Sequence, residues 1–372
     1  MAVKVALPRA LEGASVAPAP VRESPRVGEL DGIRAIAIWL VLIIHITMRG
    51  DTARAGAALQ GVGRIAFVAV DHMWLGVDLF FVLSGFLITG ILLDTKHRPA
   101  YFRNFYIRRF LRIVPLVVLV IGLMTLIAPG YGAWYALGLF FLSDVAPMLS
   151  VGNPPGAPPL WSLAVEEQFY LVWPVLVLAL TSRRLVVLAI AIVALEPLIR
   201  FATFGTLLEV PWCRSDGLAI GALAAIFVRQ PVFGTAAARR LLATIAAAVI
   251  GLVLIEVIAR NATLSGALRL TEADLVFGAA IVAAVAWSGS RWIAALRSRP
   301  MRFFADTSFC VYLIHVPIIE QAGRLEGGIS HAPFLAAVLR ALFVLPITFA
   351  LAALSYRYFE SPLLRLKAVF AR

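Results

Sequence analysis

The chain has 372 residues, of which 61% are hydrophobic and only 15% charged, and its mean hydropathy is +0.92. A soluble domain of that length needs more surface charge, so the composition indicates a polytopic membrane protein. The net charge of +12 would suit nucleic acid, but the basic residues lie scattered in short segments between apolar runs. Positive-inside orientation explains that scatter, which leaves the lipid bilayer as the partner and excludes nucleic acid.

Residues 1–28 are rich in Ala and Pro and lack a continuous apolar core, so they read as a disordered cytoplasmic arm and not as a secretory signal. Ten apolar runs long enough to cross a bilayer follow, near 33–48, 74–93, 110–128, 161–181, 185–201, 212–228, 241–258, 272–289, 303–322 and 333–356. An eleventh stretch, Tyr131 to Leu142, is short and holds Gly132 and Gly138, which suits a re-entrant or interfacial piece. With ten crossings and a cytoplasmic N-terminus, inside segments hold 23 of the 33 Lys and Arg residues and outside segments 6. That asymmetry predicts an all-α membrane protein of about ten transmembrane helices with both termini cytoplasmic. Counting 131–142 as a span would invert everything downstream of it.

The first run carries Arg34 and His45. Eleven helical steps bring them to nearly the same face, separated by roughly 16 Å of rise. Within a bilayer such residues usually face a bundle interior or a watery cavity, although each could also reach its nearer interface. In the second run Asp78 falls near the outer end and Ser84 near the middle. The fourth run brings in Glu166 and Glu167, either as chemistry or as acids favoured at a helix N-terminus after Pro158 and Pro159. Arg214 and Asp216 open the sixth run, where they could simply pair with each other. His315, two residues before Pro317, reaches outer depth in the ninth. Imidazoles, carboxylates and an arginine thus converge on one layer, which a bilayer does not tolerate without purpose.

The cytoplasmic stretch Tyr101 to Pro115 interleaves aromatics with arginines, and Arg109 and Arg112 share a helix face. Such a stretch suits either anionic lipid or a phosphate-bearing ligand gripped by guanidinium forks. Cys213 and Cys310 lie in or beside apolar runs, so neither a disulfide framework nor a metal site is expected.

Five ordered segments resemble the acyltransferase-3 family of integral membrane acyltransferases. They are Leu30-Asp-Gly-Ile-Arg34 with His45, Gly76-Val-Asp78 through Ser84-Gly-Phe-Leu-Ile88, Arg109-x-x-Arg112 with Pro115, Trp161 through Glu166-Glu167-Gln-Phe-Tyr170, and Tyr312-Leu-Ile-His315. Arg214-Ser-Asp216-Gly matches more loosely. The resemblance implies a transmembrane acyltransferase domain over 29–365, a short cytoplasmic tail at 366–372, and residence in the bacterial plasma membrane. It further implies O-acylation, commonly O-acetylation, of a carbohydrate-containing envelope molecule, with cytosolic acyl-CoA as donor substrate and no permanently bound cofactor. His45 would be catalytic, and Arg34, Arg109 and Arg112 would serve the donor, with Ser84 beside them. Some relatives carry a fused extracytoplasmic esterase-like domain; this sequence is expected to act without one, alone or with a separate acyl-handling partner.

Chemistry adds that a hydroxyl needs a base, that imidazole suits that task, and that a carboxylate against the imidazole would stabilise its cation. Glu166 is the expected carboxylate, with Glu167 next; Asp78, Arg214, Asp216 and His315 form a supporting polar cluster. The alternative reading is a secondary transporter or flippase for an anionic or lipid-linked substrate, since intramembrane Arg, Asp and His also serve permeation.

Overall fold

The computed structural model describes residues 27–48, 56, 58–203, 208–325 and 333–366, and every regular element among them is helical. Apart from its last two residues, the expected N-terminal arm lies outside the described residues, as does the tail beyond Leu366. Helices α1 (Gly28–Thr47), α2 (Gly61–Asp71), α3 (Gly76–Thr95), α4 (Tyr101–Ile127) and α5 (Gly132–Leu139) come first. They are followed by α6 (Leu160–Ala179), α7 (Ser182–Ala202), α8 (Ser215–Phe227), α9 (Thr235–Ala259) and α10 (Ala262–Ala286). The chain closes with α11 (Arg299–Leu325), α12 (Pro333–Ser355) and, after a π-helical turn at Tyr356–Glu360, α13 (Ser361–Arg365).

Eight of these helical stretches are long and apolar enough to cross a membrane: α1, the α2–α3 rod, α4, α6, α7, α9, α11 and α12 with its continuation. Helices are the expected solution, because a bilayer offers the backbone no water to bond and a helix satisfies its own N–H and C=O groups. The same setting tolerates Pro115, Pro174, Pro197, Pro317 and Pro346 inside helices.

All ten predicted apolar runs fall on helices, but two of those helices differ from a simple span. The sixth run becomes α8, whose 13 residues extend about 20 Å against a hydrocarbon core of about 30 Å. The eighth run lies in α10, which begins earlier and carries Arg269, Glu272 and Asp274. The stretch 131–142 forms only the eight-residue α5, about 12 Å long and too short to cross.

Glycine lets α3 and α8 approach at backbone distance in the centre of the bundle. A Cβ on Gly85 would collide with the backbone of Leu218, and one on Gly221 with the Val82 carbonyl. Small residues at membrane helix crossings allow this closeness, which gains van der Waals contact where no hydrophobic effect drives helices together. Helices α1 and α11 run parallel. Gly32 packs on Leu296 just ahead of α11, the Trp39 ring meets Phe304 at 5.2 Å, and His45 meets His315 at the far end. Between α5 and α6, Gln168 donates to the Phe141 carbonyl and to Asp144, both at 3.0 Å, which fixes the entry of α6. Burial pushes the Asp144 carboxyl above the usual carboxylate range, and the Gln168 bond opposes that rise.

Candidate active site

Helices α1, α3, α4, α6 and α11 enclose a cavity of about 220 Å³. Its polar wall is built from residues on four of these helices: Arg34 on α1, Ser84 on α3, Arg109 and Arg112 on α4, Glu166 and Tyr170 on α6. Helical spacing explains the pairs. Arg109 and Arg112 are three apart, Glu166 and Tyr170 four apart, so each pair presents one face. The Arg109 guanidinium lies 4.8 Å over the Tyr170 ring, a cation–π contact, and the Tyr170 hydroxyl shares a short hydrogen bond with Ser84. The Glu166 carboxylate faces Ser84 and the three guanidiniums.

A second, wider cavity of about 680 Å³ adjoins the first and shares Arg34, Leu87, Ile91, Arg112 and Phe309 with it. Two arginines, Arg34 and Arg112, therefore stand where the wide vestibule meets the smaller cavity. The vestibule also holds Asp31, Asp94, Asp306 and Glu360, and Arg229 grips Asp94 through two bonds of 2.8 Å. Asp31 lies 3.9 Å from Arg34 on the same helix. Arg112 forms no hydrogen bond or close ion pair among the described residues, which leaves its fork available to a ligand.

Away from the vestibule, Ser162 and Tyr312 line the smaller cavity and share a short hydrogen bond. One turn further along α11, the His315 ring sits 5.8 Å from the Tyr312 ring and 4.9 Å from the His45 ring, edge to face. His45 Nδ1 donates to the Val41 carbonyl at 2.7 Å. The expected hydrogen bond from Glu166 to His45 is not present. A backbone carbonyl one turn earlier fills the Nδ1 position, and Glu166 turns to the arginines instead. Glu167, rotated about 100° from Glu166 on the helix, leaves the cavity wall and keeps one buried oxygen without a partner.

The profile of the acyltransferase-3 family, described as an acyltransferase domain, matches residues 27–357. The chain belongs to this family. It is 28% identical to the putative peptidoglycan O-acetyltransferase YrhL of Bacillus subtilis over 379 aligned residues, covering 90% of this chain and 54% of that protein. It is 32% identical to the peptidoglycan O-acetyltransferase OatA of Listeria monocytogenes over 169 residues, covering 41% of this chain and 24% of the relative. A putative O-acetyltransferase of Staphylococcus aureus is 29% identical over 167 residues, again 41% of this chain and 24% of the relative. The chain thus spans about half of one curated relative and a quarter of the others. No solved structure matches it significantly.

In this acyltransferase-3 protein the remaining predicted polar residues sit behind the cavity, not in it. Arg214 pairs with Asp78 at 2.9 Å, not with Asp216, and its guanidinium rests on the rings of Phe81 and Trp161. Asp216 is held by Arg200 at 2.8 Å and by the Thr271 hydroxyl. Glu196 accepts from the backbone N–H groups of Ser215 and Asp216 and so caps α8. Buried Asp274 packs over Gly217. Glu196, Arg200, Thr271 and Asp274 belong to this network, and sequence reading did not single them out. The signal was available: Glu196 and Arg200 are charged residues four apart inside an apolar run. The network locks α3, α7, α8 and α10 together and supports the cavity wall that Phe81 and Trp161 adjoin. Among the described residues no group of three or more His, Cys, Asp or Glu could hold a metal ion.

Proposed function

We propose that this protein is a membrane O-acyltransferase that moves an acyl group, acetyl in the first instance, from cytosolic acyl-CoA to a hydroxyl of a carbohydrate-containing molecule of the bacterial envelope. One observation carries the reading: two adjoining cavities have arginines where they meet, and a histidine pair lies just beyond Tyr312 of the smaller one. Arg34, Arg109 and Arg112 offer charge-assisted, partly bidentate contacts to the phosphates of CoA. The thioester arm then follows the narrow cavity past Ser84, Glu166 and Tyr170.

His45 acts as general base. Its Nδ1–H is committed to the Val41 carbonyl, so the lone pair is at Nε2, where it takes the proton of the attacking hydroxyl. As the oxygen–carbon bond forms the carbon–sulfur bond breaks, and CoA leaves as the thiolate. A glycan acceptor and a separate extracytoplasmic carrier protein both need the same deprotonation. Peptidoglycan is the first acceptor to test, given the names of two relatives. We read the protein as a multi-pass inner-membrane protein with ten crossings and both termini cytoplasmic.

The test uses purified protein in liposomes, radiolabelled acetyl-CoA on one face and muramidase-released peptidoglycan glycan on the other. Wild type should release CoA and label the glycan, and His45→Ala should slow both by about 10² to 10⁴, the usual value of a general base. Full activity in His45→Ala would sink the mechanism. Solute uptake driven by a pH gradient, with no CoA release, would identify the passage as a permeation path instead.

A further inference from the structure

His315 is completely buried, and its Nε2 is a buried polar atom without a hydrogen-bond partner among the described residues. Its Nδ1 points back along α11 to the Tyr312 carbonyl at 2.8 Å and the Val311 carbonyl at 3.2 Å. A carbonyl only accepts, so Nδ1 carries the hydrogen and Nε2 is left with a lone pair. His45 is arranged in the same way by Val41. Two imidazoles on neighbouring parallel helices are therefore held in the same tautomer, rings 4.9 Å apart, and among the described residues neither Nε2 has a hydrogen bond. An unpartnered polar atom at such depth calls for a function, since burial without a partner is unfavourable.

We infer that His315 is the positioning residue of His45, taking the part that sequence reasoning assigned to a carboxylate. The inference rests on the reading of His45 as general base. When His45 Nε2 takes the proton of the acceptor hydroxyl, the ring becomes an imidazolium with N–H at both nitrogens. Nδ1–H already has the Val41 carbonyl, and the new Nε2–H needs an acceptor. While the acceptor oxygen stays in place it holds that N–H; as the oxygen moves off to bond the acyl carbon, the lone pair of the neighbouring His315 Nε2 takes the hydrogen bond over. When the proton later leaves the site, both rings return to their resting tautomers and no net charge is left behind.

The surroundings hold this geometry. Arg340 on α12 donates to the Ile46 carbonyl at 2.5 Å, fixing the last turn of α1 beside His45. Tyr312 joins the histidine pair to the cavity: it lines the passage, is bonded to Ser162, and its ring meets cavity-lining Phe80 at 6.0 Å. No carboxylate contacts either histidine among the described residues, so the pair itself must accommodate the transient charge.

The experiment compares His315→Leu, His315→Gln, His45→Ala and the His45→Ala/His315→Leu double variant in the liposome assay, with acetyl-CoA and muramidase-released glycan as probes. Leu removes the acceptor, whereas Gln returns an amide oxygen near the position of Nε2. Expected is a fall in kcat of about 10- to 100-fold in His315→Leu, with the KM for acetyl-CoA unchanged. His315→Gln should recover several-fold of the lost rate. The double variant should be little slower than His45→Ala, because residues acting as one unit are not additive. Three results would overturn the assignment: wild-type kcat in His315→Leu, equal losses in Leu and Gln accompanied by lower thermal stability, or multiplicative losses in the double variant. Failure of the general-base reading is distinguishable, since it requires His45→Ala itself to remain active.

Discussion

Arg109, Arg112 and Glu166 share one cavity wall yet carry opposite charges, so their variants should move donor affinity in opposite directions. Among the described residues the guanidinium of Arg112 has no hydrogen bond or close ion pair, and that of Arg109 is steadied by the Tyr170 ring. Replacing either by Lys keeps the charge but loses the planar fork and, at Arg109, the stacked contact. A lost hydrogen bond to a charged group is worth about 1.5–3 kcal/mol, so the KM for acetyl-CoA should rise at least about tenfold in each Lys variant while expression holds. An unchanged KM would mean that these side chains serve lipid headgroups. Glu166→Gln removes the carboxylate that faces the three guanidiniums. The arginines then lose their internal counter-charge, and the KM for acetyl-CoA should fall. A rise would show that Glu166 holds the arginines in place, and an unchanged value that it does not influence the donor.

At the scale of elements, the crossing of α3 and α8 is the most demanding contact in the fold. Gly221→Ala would drive a methyl group into the Val82 carbonyl and the Phe86 amide, both of them backbone, which cannot swing aside. Overpacking of this kind costs about 1–3 kcal/mol, and separation of the two helices would also disturb the Asp78–Arg214 pair. The expected result is a Tm lower by several degrees in detergent, whereas Gly122→Ala, where the added atom meets open space, should leave it unchanged. Equal Tm values for both variants would rule out the close crossing. The helices themselves were legible because apolar runs and charged joints are sequence-local properties: every predicted run falls on a helix. Arg34, Ser84, Arg109, Arg112 and Glu166 were legible as a set because depth along each span follows from residue number. Partner choice was not. The pairing of Arg214 with Asp78, of Asp216 with Arg200 and of His45 with His315 depends on which helices adjoin and how each is rotated, and no spacing within one run encodes that.

For the whole molecule, the proposed reaction requires the vestibule to open on the side where acyl-CoA is made, and the histidine pair to lie toward the envelope. The charge distribution supports that orientation: basic residues concentrate in the joints at the Arg34 end, including those between α3 and α4 and between α10 and α11. Both native cysteines are buried, so a Cys-free background needs only two replacements. Ala100 sits exposed in the joint between α3 and α4, and Asn153 sits exposed in the segment between α5 and α6. An impermeant thiol reagent added outside intact cells should label Asn153→Cys and leave Ala100→Cys untouched until the membrane is opened. The reverse pattern would place the three arginines on the envelope side, out of reach of cytosolic acyl-CoA, and the direction of transfer proposed for this passage would have to be abandoned. Labelling of both sites from outside would mean that an even number of crossings separates Ala100 from Asn153, where the ten-span count has one. Only the first pattern lets donor and acceptor approach His45 from opposite faces of the bilayer.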